Sequence, residues 1–203
     1  MTKARRPAPF RTELRDDQRG VALIEFGLSL PVLMAFILVG LELTNYVLAN
    51  HRVRQIAAMT ADNASRPRTQ MSEAYINQLF TGVQKAGAGI QFQQRGRVIL
   101  SSIQNNAAGD GQWIRWQRCY GQLTSRVSKY GTQGKGQSDS SLPTVNGLAA
   151  QAGSALMFAE VEYQYKPLIA SSILNNRRIV HETAFIVRQR TDFSISGSSP
   201  STC

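Results

Sequence analysis

The most prominent feature of the hydrophobicity pattern is a long apolar run near the N-terminus. It extends from Val21 to Leu41, and the chain carries no charged residue between Glu25 and Glu42. As a helix, this run would span roughly 30 Å, the thickness of the hydrocarbon core of a bilayer. The core helix of a soluble protein is usually shorter or has a polar stripe, and the central turns of this run have none. The pattern therefore predicts one membrane-spanning helix.

Beyond Glu42 the apolar pattern becomes one-sided, as in an amphipathic helix. The residues that recur at helical spacing on one face are Val53, Ile56, Ala57, Thr60 and Ala64, and those opposite are Arg52, Arg54, Gln55, Asp62 and Asn63. Pro67 removes a backbone donor and also restricts Arg66. We therefore predict one continuous helix from Val21 to about Ser65, roughly 65 Å long.

The rest of the chain contains β-prone runs separated by turn-forming residues. Three runs are short, namely Ile90–Phe92, Val98–Leu100 and Trp113–Trp116, and the last two flank a turn at Asn105–Gly111. Two are longer. Phe158–Tyr165 alternates apolar and polar side chains, as a half-buried strand does, and Ile179–Arg190 follows as a second candidate.

Short helices are predicted between these strands. Ser72 is a candidate N-cap for a helix over Glu73–Thr81 closed by Gly82, and Leu123–Tyr130 is a further candidate. Leu168–Asn175 is either a short helix or a crossover connection. The Gly- and Ser-rich segment Gly131–Ser141 is predicted to be a loop. The predicted fold class is α+β, a long N-terminal helix, transmembrane and then amphipathic, packed on a small antiparallel sheet.

Length and charge suggest how the chain is organised. We predict a cytoplasmic leader at residues 1–20, the transmembrane and amphipathic helix at 21–66, and one extracytoplasmic α+β domain at 67–203. Six Lys and Arg residues against three Asp and Glu residues give the leader a charge of +3, which favours a cytoplasmic N-terminus. The net charge of the whole chain is +10, but it is spread thinly, so a nucleic-acid partner is not expected from charge alone.

A search for catalytic or ligand-binding residues finds little. His51 and His181 are far apart and have no Cys or carboxylate cluster nearby, so no metal site is predicted. The glycines of Gly131–Gly136 resemble part of a phosphate-binding loop, but the spacing and the following Ser or Thr are missing. There is no local signature of a catalytic nucleophile either. We therefore predict neither an enzyme nor a cofactor.

Two features of the apolar run are unusual for a simple anchor. Glu25 lies a few residues inside it, where a carboxylate costs about 2.5–3.5 kcal/mol, so this residue is a candidate for a function. Gly20 stands at the boundary between the basic segment and the apolar run, in the sequence RGVALIEF of residues 19–26. This pattern resembles the site that prepilin peptidases recognise in type IV pilin-like proteins. The longer segment GVALIEFGLSLPVLM resembles the TadE-like minor pilins, or pseudopilins, of the tight-adherence (Tad or Flp) pilus system.

The resemblance implies a non-enzymatic function in assembly of a type IV-like pilus that serves surface attachment and biofilm formation. It implies cleavage by a prepilin peptidase between Gly20 and Val21, and assembly or recognition roles for Glu25 and Phe26. The implied partners are the peptidase, other pilin and pseudopilin subunits, the inner-membrane assembly platform and membrane lipid. The implied location is the bacterial inner membrane, with a periplasmic C-terminal domain and later incorporation into the pilus.

Two alternatives remain open. The chain could be an uncleaved, single-pass membrane-anchored periplasmic binding module, which requires neither Gly20 nor Glu25. It could instead be a DNA-binding minor pilin, in which Trp116, Arg115 and Arg118 would form an exposed basic face for stacking on bases.

The two cysteines, Cys119 and Cys203, allow one disulfide if the C-terminal domain leaves the cytoplasm. An intramolecular bond would hold down a Ser- and Gly-rich tail that otherwise frays. Intermolecular pairing is the alternative.

Overall fold

The computed structural model describes residues 20–169 and 177–203. Its first element is a single helix, α1, over Val21–Ser65, as predicted. Its 45 residues correspond to about 68 Å. Within the described residues, α1 is the one helix long and apolar enough to cross a membrane. The chain divides into two compact units between Thr44 and Asn45, and the second unit contains all of the strands.

In the second unit, small and branched residues of α1 form one wall of the core. Val53, Ile56, Ala57, Ala61 and Ala64 are fully buried. The predicted apolar face is therefore the packed face, and its alanines allow other elements to approach the helix closely. A buried arginine hydrogen-bonds a free backbone carbonyl at the C-terminal end of α1, since Arg190 Nη1 donates to Ala64 O at 3.0 Å. A cation at this end also complements the helix dipole.

Residues Met71–Ser72 form a short strand, β1, and α2 follows over Glu73–Gly87. Ser72 is the N-cap, as predicted, because its hydroxyl accepts from the backbone N–H of Tyr75. The predicted end at Thr81 was wrong. The helix continues through Gly82 because the next turns bury Val83 and Gly87 on the face that already buries Ile76, Leu79 and Phe80.

The predicted strand at Ile90–Phe92 is also wrong. A 3₁₀ turn at Ala88–Ile90 leads into a one-turn helix, α3, over Phe92–Arg95. Gln91 between them has a φ of 54°, in the left-handed region, which breaks any extended conformation. The Phe92 ring is fully buried and lies so close to Gly96 that a Cβ there would be 2.4 Å from the ring.

The main sheet has four antiparallel strands, β2 (Gly96–Asn105), β3 (Gln112–Tyr120), β4 (Ala155–Gln164) and β5 (Arg178–Ile186). Their spatial order is β3-β2-β4-β5, so β3 and β5 are the edges. The predicted runs at Val98–Leu100, Trp113–Trp116 and Phe158–Tyr165 lie in β2, β3 and β4, and β5 is shorter than the predicted Ile179–Arg190. The α+β prediction is confirmed.

Both faces of this sheet are covered. On one face, α1 and α2 pack against residues such as Val98, Leu100 and Val161. On the other face, the irregular segment between β3 and β4 forms a second apolar cluster, which contains Ile103, Ile114, Tyr130, Leu142, Val145, Ala150, Leu156 and Phe158. Gly131–Ser141 is irregular, as predicted, but Leu123–Tyr130 forms turns and not the predicted helix. Most of the predicted helix at Leu168–Asn175 lies outside the described residues.

The C-terminal tail returns to the start of the second unit. Residues Ile195–Ser196 form β6, which pairs in parallel with β1 through Met71 and Ile195. The backbone N–H of Cys119 donates to Ser201 O at 2.8 Å, and a disulfide joins Cys119 to Cys203. The tail is thus fixed to β1 through Ile195 and to the outer edge of β3 through Ser201 and Cys203.

Candidate assembly segment

Gly20 and Val21 lie at the very start of α1. Gly20 is in a turn and is exposed, and its carbonyl accepts the first helical hydrogen bond, from the N–H of Ile24, at 3.2 Å. A Cβ at Gly20 would meet no atom within 4 Å in the described structure. Val21 is 47% exposed. The peptide bond between the two residues therefore lies at an accessible junction between helix and preceding chain.

Glu25 and Phe26 follow one turn later, and both are exposed. Because Glu25 is four residues after Val21, the two lie on the same face of α1. Glu25 forms no ion pair or hydrogen bond within the described residues. Within the described residues, its carboxylate is therefore unpaired.

The surface around this carboxylate is almost entirely apolar. The large hydrophobic residues of α1 that are exposed before Thr44 are Val21, Leu23, Ile24, Phe26, Leu28, Leu30, Val32, Leu33, Met34, Phe36, Ile37, Leu38, Val39, Leu41 and Leu43. A continuous patch of this size is far beyond what a water-exposed monomer surface carries, and it indicates a lipid or protein contact.

Two hydroxyl side chains in this part of α1 are satisfied by the helix itself. Ser29 Oγ donates to Phe26 O at 3.0 Å, and Thr44 Oγ1 donates to Gly40 O at 2.8 Å. Hydroxyl groups bonded in this way need no water, so they are compatible with a hydrocarbon environment. Glu25 has no such hydrogen bond within the described residues.

Residues 20–62 match the family model described as TadE-like protein. This segment is similar to TadE-like proteins. The match begins at Gly20, covers the segment with Val21, Glu25 and Phe26, and ends within α1. The sheet and its loops lie outside the match. Searches of curated proteins and of solved structures returned no match.

In the second unit, two of the three side chains that could form a basic face for base stacking are buried. Trp116 is 2% exposed, and its Nε1–H donates to Phe193 O at 3.0 Å. Arg118 is 7% exposed and is held by Glu73. Trp116 and Arg118 therefore cannot form an exposed basic face with Arg115, and the expectation of such a face was wrong. These two side chains point from β3 towards the helical layer, which the strand pattern alone did not reveal.

The Glu73–Arg118 contact is a buried ion pair that sequence reasoning missed. Arg118 Nε lies 3.0 Å from each carboxylate oxygen of Glu73, and Nη2 also donates to Oε1. Arg118 Nη1 donates to the backbone carbonyl of Gln117 at 2.7 Å and to Gln133 Oε1 at 3.3 Å. The pair joins the first turn of α2 to β3 across 45 residues of sequence, so no local pattern could have identified it.

A second charged cluster lies on the opposite face of the sheet. Glu160 and Glu182 are cross-strand neighbours on β4 and β5. The carboxylate of Glu160 accepts from Ser128 Oγ at 2.5 Å and from the Lys129 N–H at 2.9 Å. Burial raises the pKa of Glu160, and those two hydrogen bonds oppose the rise only in part. Tyr130 donates to Glu182 at 3.1 Å, so the loop after β3 is fixed to the sheet through both carboxylates.

The described residues contain no group of three or more His, Cys, Asp or Glu side chains placed to hold a metal ion. His181 Nε2 lies 2.8 Å from Asn50 Oδ1 on α1, and burial lowers the pKa of this histidine. His51 is exposed. The polar groups of the second unit therefore connect its elements to one another, and the exposed residues of α1 form the candidate site.

Proposed function

We propose that this TadE-like chain is a minor pilin, or pseudopilin, that takes part in assembly of a tight-adherence pilus for surface attachment. The observation that carries the proposal is the family match over residues 20–62, which begins at Gly20 and includes Glu25. The exposed apolar surface of α1 supports it, because such a segment must be covered by lipid or by other subunits. Members of this family are structural components of the pilus and not enzymes.

The proposed maturation step is hydrolysis of the peptide bond between Gly20 and Val21 by a prepilin peptidase. This would remove the basic leader and leave Val21 as the new N-terminus. The exposure of the junction supports it, since an enzyme in the membrane could reach this bond without unfolding α1. The proposed topology is single-pass, with the leader in the cytoplasm and the domain after residue 66 in the periplasm.

The proposed role of Glu25 follows from the charge that this cleavage creates. The new amino group of Val21 would be positively charged near neutral pH. An ammonium and a carboxylate that both lack water offset much of their desolvation when they pair. Glu25 has no partner within the described residues, so the amino group of an incoming subunit could bind it and set the axial register of assembly.

The first test is the intact mass of the protein isolated from its native membrane and from sheared pili. We expect a chain that begins at Val21, and we expect Gly20→Leu to keep the leader and remain in the inner membrane. An N-terminus at Met1 or Thr2 in assembled pili would contradict the proposal and favour the alternative of an uncleaved, membrane-anchored binding module.

The second test compares Glu25→Ala and Glu25→Gln with Ser29→Ala in a strain that lacks the native copy. Ser29 is a suitable control because it lies one turn away and bonds only to its own helix. Both Glu25 variants should reach the membrane with a folded periplasmic domain and fail to enter sheared pili or cross-linked assemblies. Ser29→Ala should assemble normally. Normal incorporation of Glu25→Ala would exclude an assembly role for the carboxylate.

A further inference from the structure

The two edge strands of the main sheet differ in the hydrogen bonding of their outer backbone groups. At β3, the outer backbone groups are paired with the chain itself. Ile114 N–H donates to Lys135 O at 3.0 Å, and Gly134 N–H donates to Ile114 O at 2.8 Å. Further along the strand, Cys119 N–H donates to Ser201 O at 2.8 Å. This edge is closed by the loop and by the C-terminal tail.

At β5, the outer edge is unpaired within the described residues. The Val187 N–H donates to Ala155 O, and the Tyr165 N–H donates to Arg177 O, both at 2.8 Å. The backbone groups of the odd-numbered residues of β5 therefore bond to β4. Because antiparallel bonding alternates, the even-numbered residues direct their N–H and C=O groups outwards. These residues, which we call the open edge, are Arg178, Val180, Glu182, Ala184 and Ile186. Within residues 20–169 and 177–203, nothing pairs with their outward backbone groups.

Two of the usual protections of a sheet edge are missing here, although Arg178 and Glu182 place charges on the strand. The nine residues of β5 include no proline, and their pairing with β4 continues without a bulge. Val180 is 46% exposed, and Phe185 and Ile186 are each 37% exposed. A long, regular and partly apolar edge of this kind is a template for another strand.

A basic cavity adjoins the C-terminal end of the open edge. This arginine groove has a volume of about 540 Å³, and its lining includes Arg66, Arg68, Arg188, Asp62, Phe185 and Ile186. Asp62 is the acidic residue of the lining, and Arg66 already pairs with it at 2.5 Å. Arg188 is exposed and forms no ion pair within the described residues. The groove therefore has an excess of positive charge beside unpaired backbone.

We propose that an extended, acidic and partly apolar segment of a partner protein adds to the open edge as a fifth strand. Its backbone would pair with the outward groups of β5, its apolar side chains would cover Phe185 and Ile186, and its carboxylates would bind in the arginine groove. This surface lies on the second unit, and the proposal does not depend on cleavage at Gly20 or on Glu25.

Charge argues against a second copy as the occupant. Residues 45–203 carry seventeen Lys and Arg against eight Asp and Glu, so two copies repel each other. Antiparallel pairing of two β5 strands about their centre would also place Glu182 opposite the partner's Glu182, and like charges in that position are destabilising. An extended acidic segment would pair with the outward backbone groups of β5 and would also complement the positive charge of the arginine groove.

The test uses the full chain in detergent micelles and a fluorescent nonapeptide of alternating Glu and Val as the probe. We expect saturable binding by anisotropy, with slowed hydrogen exchange at the open-edge amides. Arg188→Glu should weaken binding at least about tenfold. Lys135→Glu, the same charge change at an exposed residue on the closed side of the sheet, should alter it less than about twofold.

Backbone pairing is tested separately with a probe that has the same side chains but N-methylated amides on alternate residues. This probe should lose at least about tenfold in affinity. Equal binding of both probes, or no binding of the unmodified probe, would overturn the proposal. Binding of an oligo(dT) probe in the arginine groove without protection of the open-edge amides would also overturn the proposal. Protection of the edge by self-association without any probe would identify a second copy as the occupant and also overturn it.

Discussion

Replacing Glu73 with alanine should destabilise the second unit severely, because it leaves a charged group buried without its partner. The side chains of Glu73 and Arg118 are only 4% and 9% exposed. Alanine removes every acceptor that Glu73 offers to Arg118 Nε and Nη2. Water cannot easily replace that acceptor at this depth.

The expected cost can be estimated from the contacts that remain. Breaking a buried ion pair by removing one partner costs about 3–5 kcal/mol. Arg118 Nη1 keeps its bonds to Gln117 O and Gln133 Oε1, so part of the guanidinium stays satisfied. We therefore expect the lower end of the range, about 3 kcal/mol, which shifts a urea midpoint by about 1.5 M if m is about 2 kcal/mol/M.

The assay is urea unfolding of the full chain in a mild detergent, followed by the fluorescence of Trp113 and Trp116 on β3. Arg178→Met is the control, because its side chain is 53% exposed in its pair with Glu162, and it should cost less than about 1 kcal/mol. The double variant Glu73→Ala with Arg118→Met should recover about 2 kcal/mol of the summed single costs. Equal costs for Glu73→Ala and the control, or strictly additive single costs, would refute the argument.

Three further predictions concern the second unit. Burial raises the pKa of Glu160 above its ordinary 4.5, so the native state binds this proton more tightly than the unfolded state does. The free energy of unfolding should therefore fall as the pH rises from 4.5 through the raised pKa. Glu160→Gln should flatten that dependence in denaturation curves recorded across the interval. Cys203→Ser removes a disulfide between residues 84 apart, and the chain-entropy model predicts that this lowers the free energy of unfolding by about 4.6 kcal/mol. A decrease of less than about 1 kcal/mol in denaturation under non-reducing conditions would contradict this prediction. Gly121→Ala should cost more in thermal unfolding than Gly109→Ala, because both glycines have positive φ but only Gly121 would bring its Cβ to 2.2 Å from Gly96 O.

Much of the fold could be predicted because it depends on local pattern. The continuous α1 follows from the apolar run, the one-sided turns after Glu42 and the stop at Pro67. The Ser72 cap and the strand at Phe158–Tyr165 likewise have signals within a few residues. Glu25 was found from its position inside the apolar run and Gly20 from the resemblance to prepilin peptidase sites, and the family match covers both.

The errors arose where distant packing decides local structure. Gly82 does not end α2, because Val83 and Gly87 are buried in the core. Ile90–Phe92 is not a strand, because the chain turns at Gln91 to bury Phe92. The second apolar cluster, the arginine groove and the Glu73 pair each combine residues distant in sequence, so no pattern along the chain could reveal them.

The return of the C-terminal tail has a consequence for the order of events in folding. Met71 pairs with Ile195, Trp116 donates to Phe193 O, and Cys119 is joined to the final residue. Each of these contacts joins residues 193–203 to a segment at least 77 positions earlier in the sequence. These are contacts of long sequence separation, so we expect them to form late in folding, after the main sheet has brought β3 into place, and until then β1 and the outer edge of β3 lack their partners from residues 193–203.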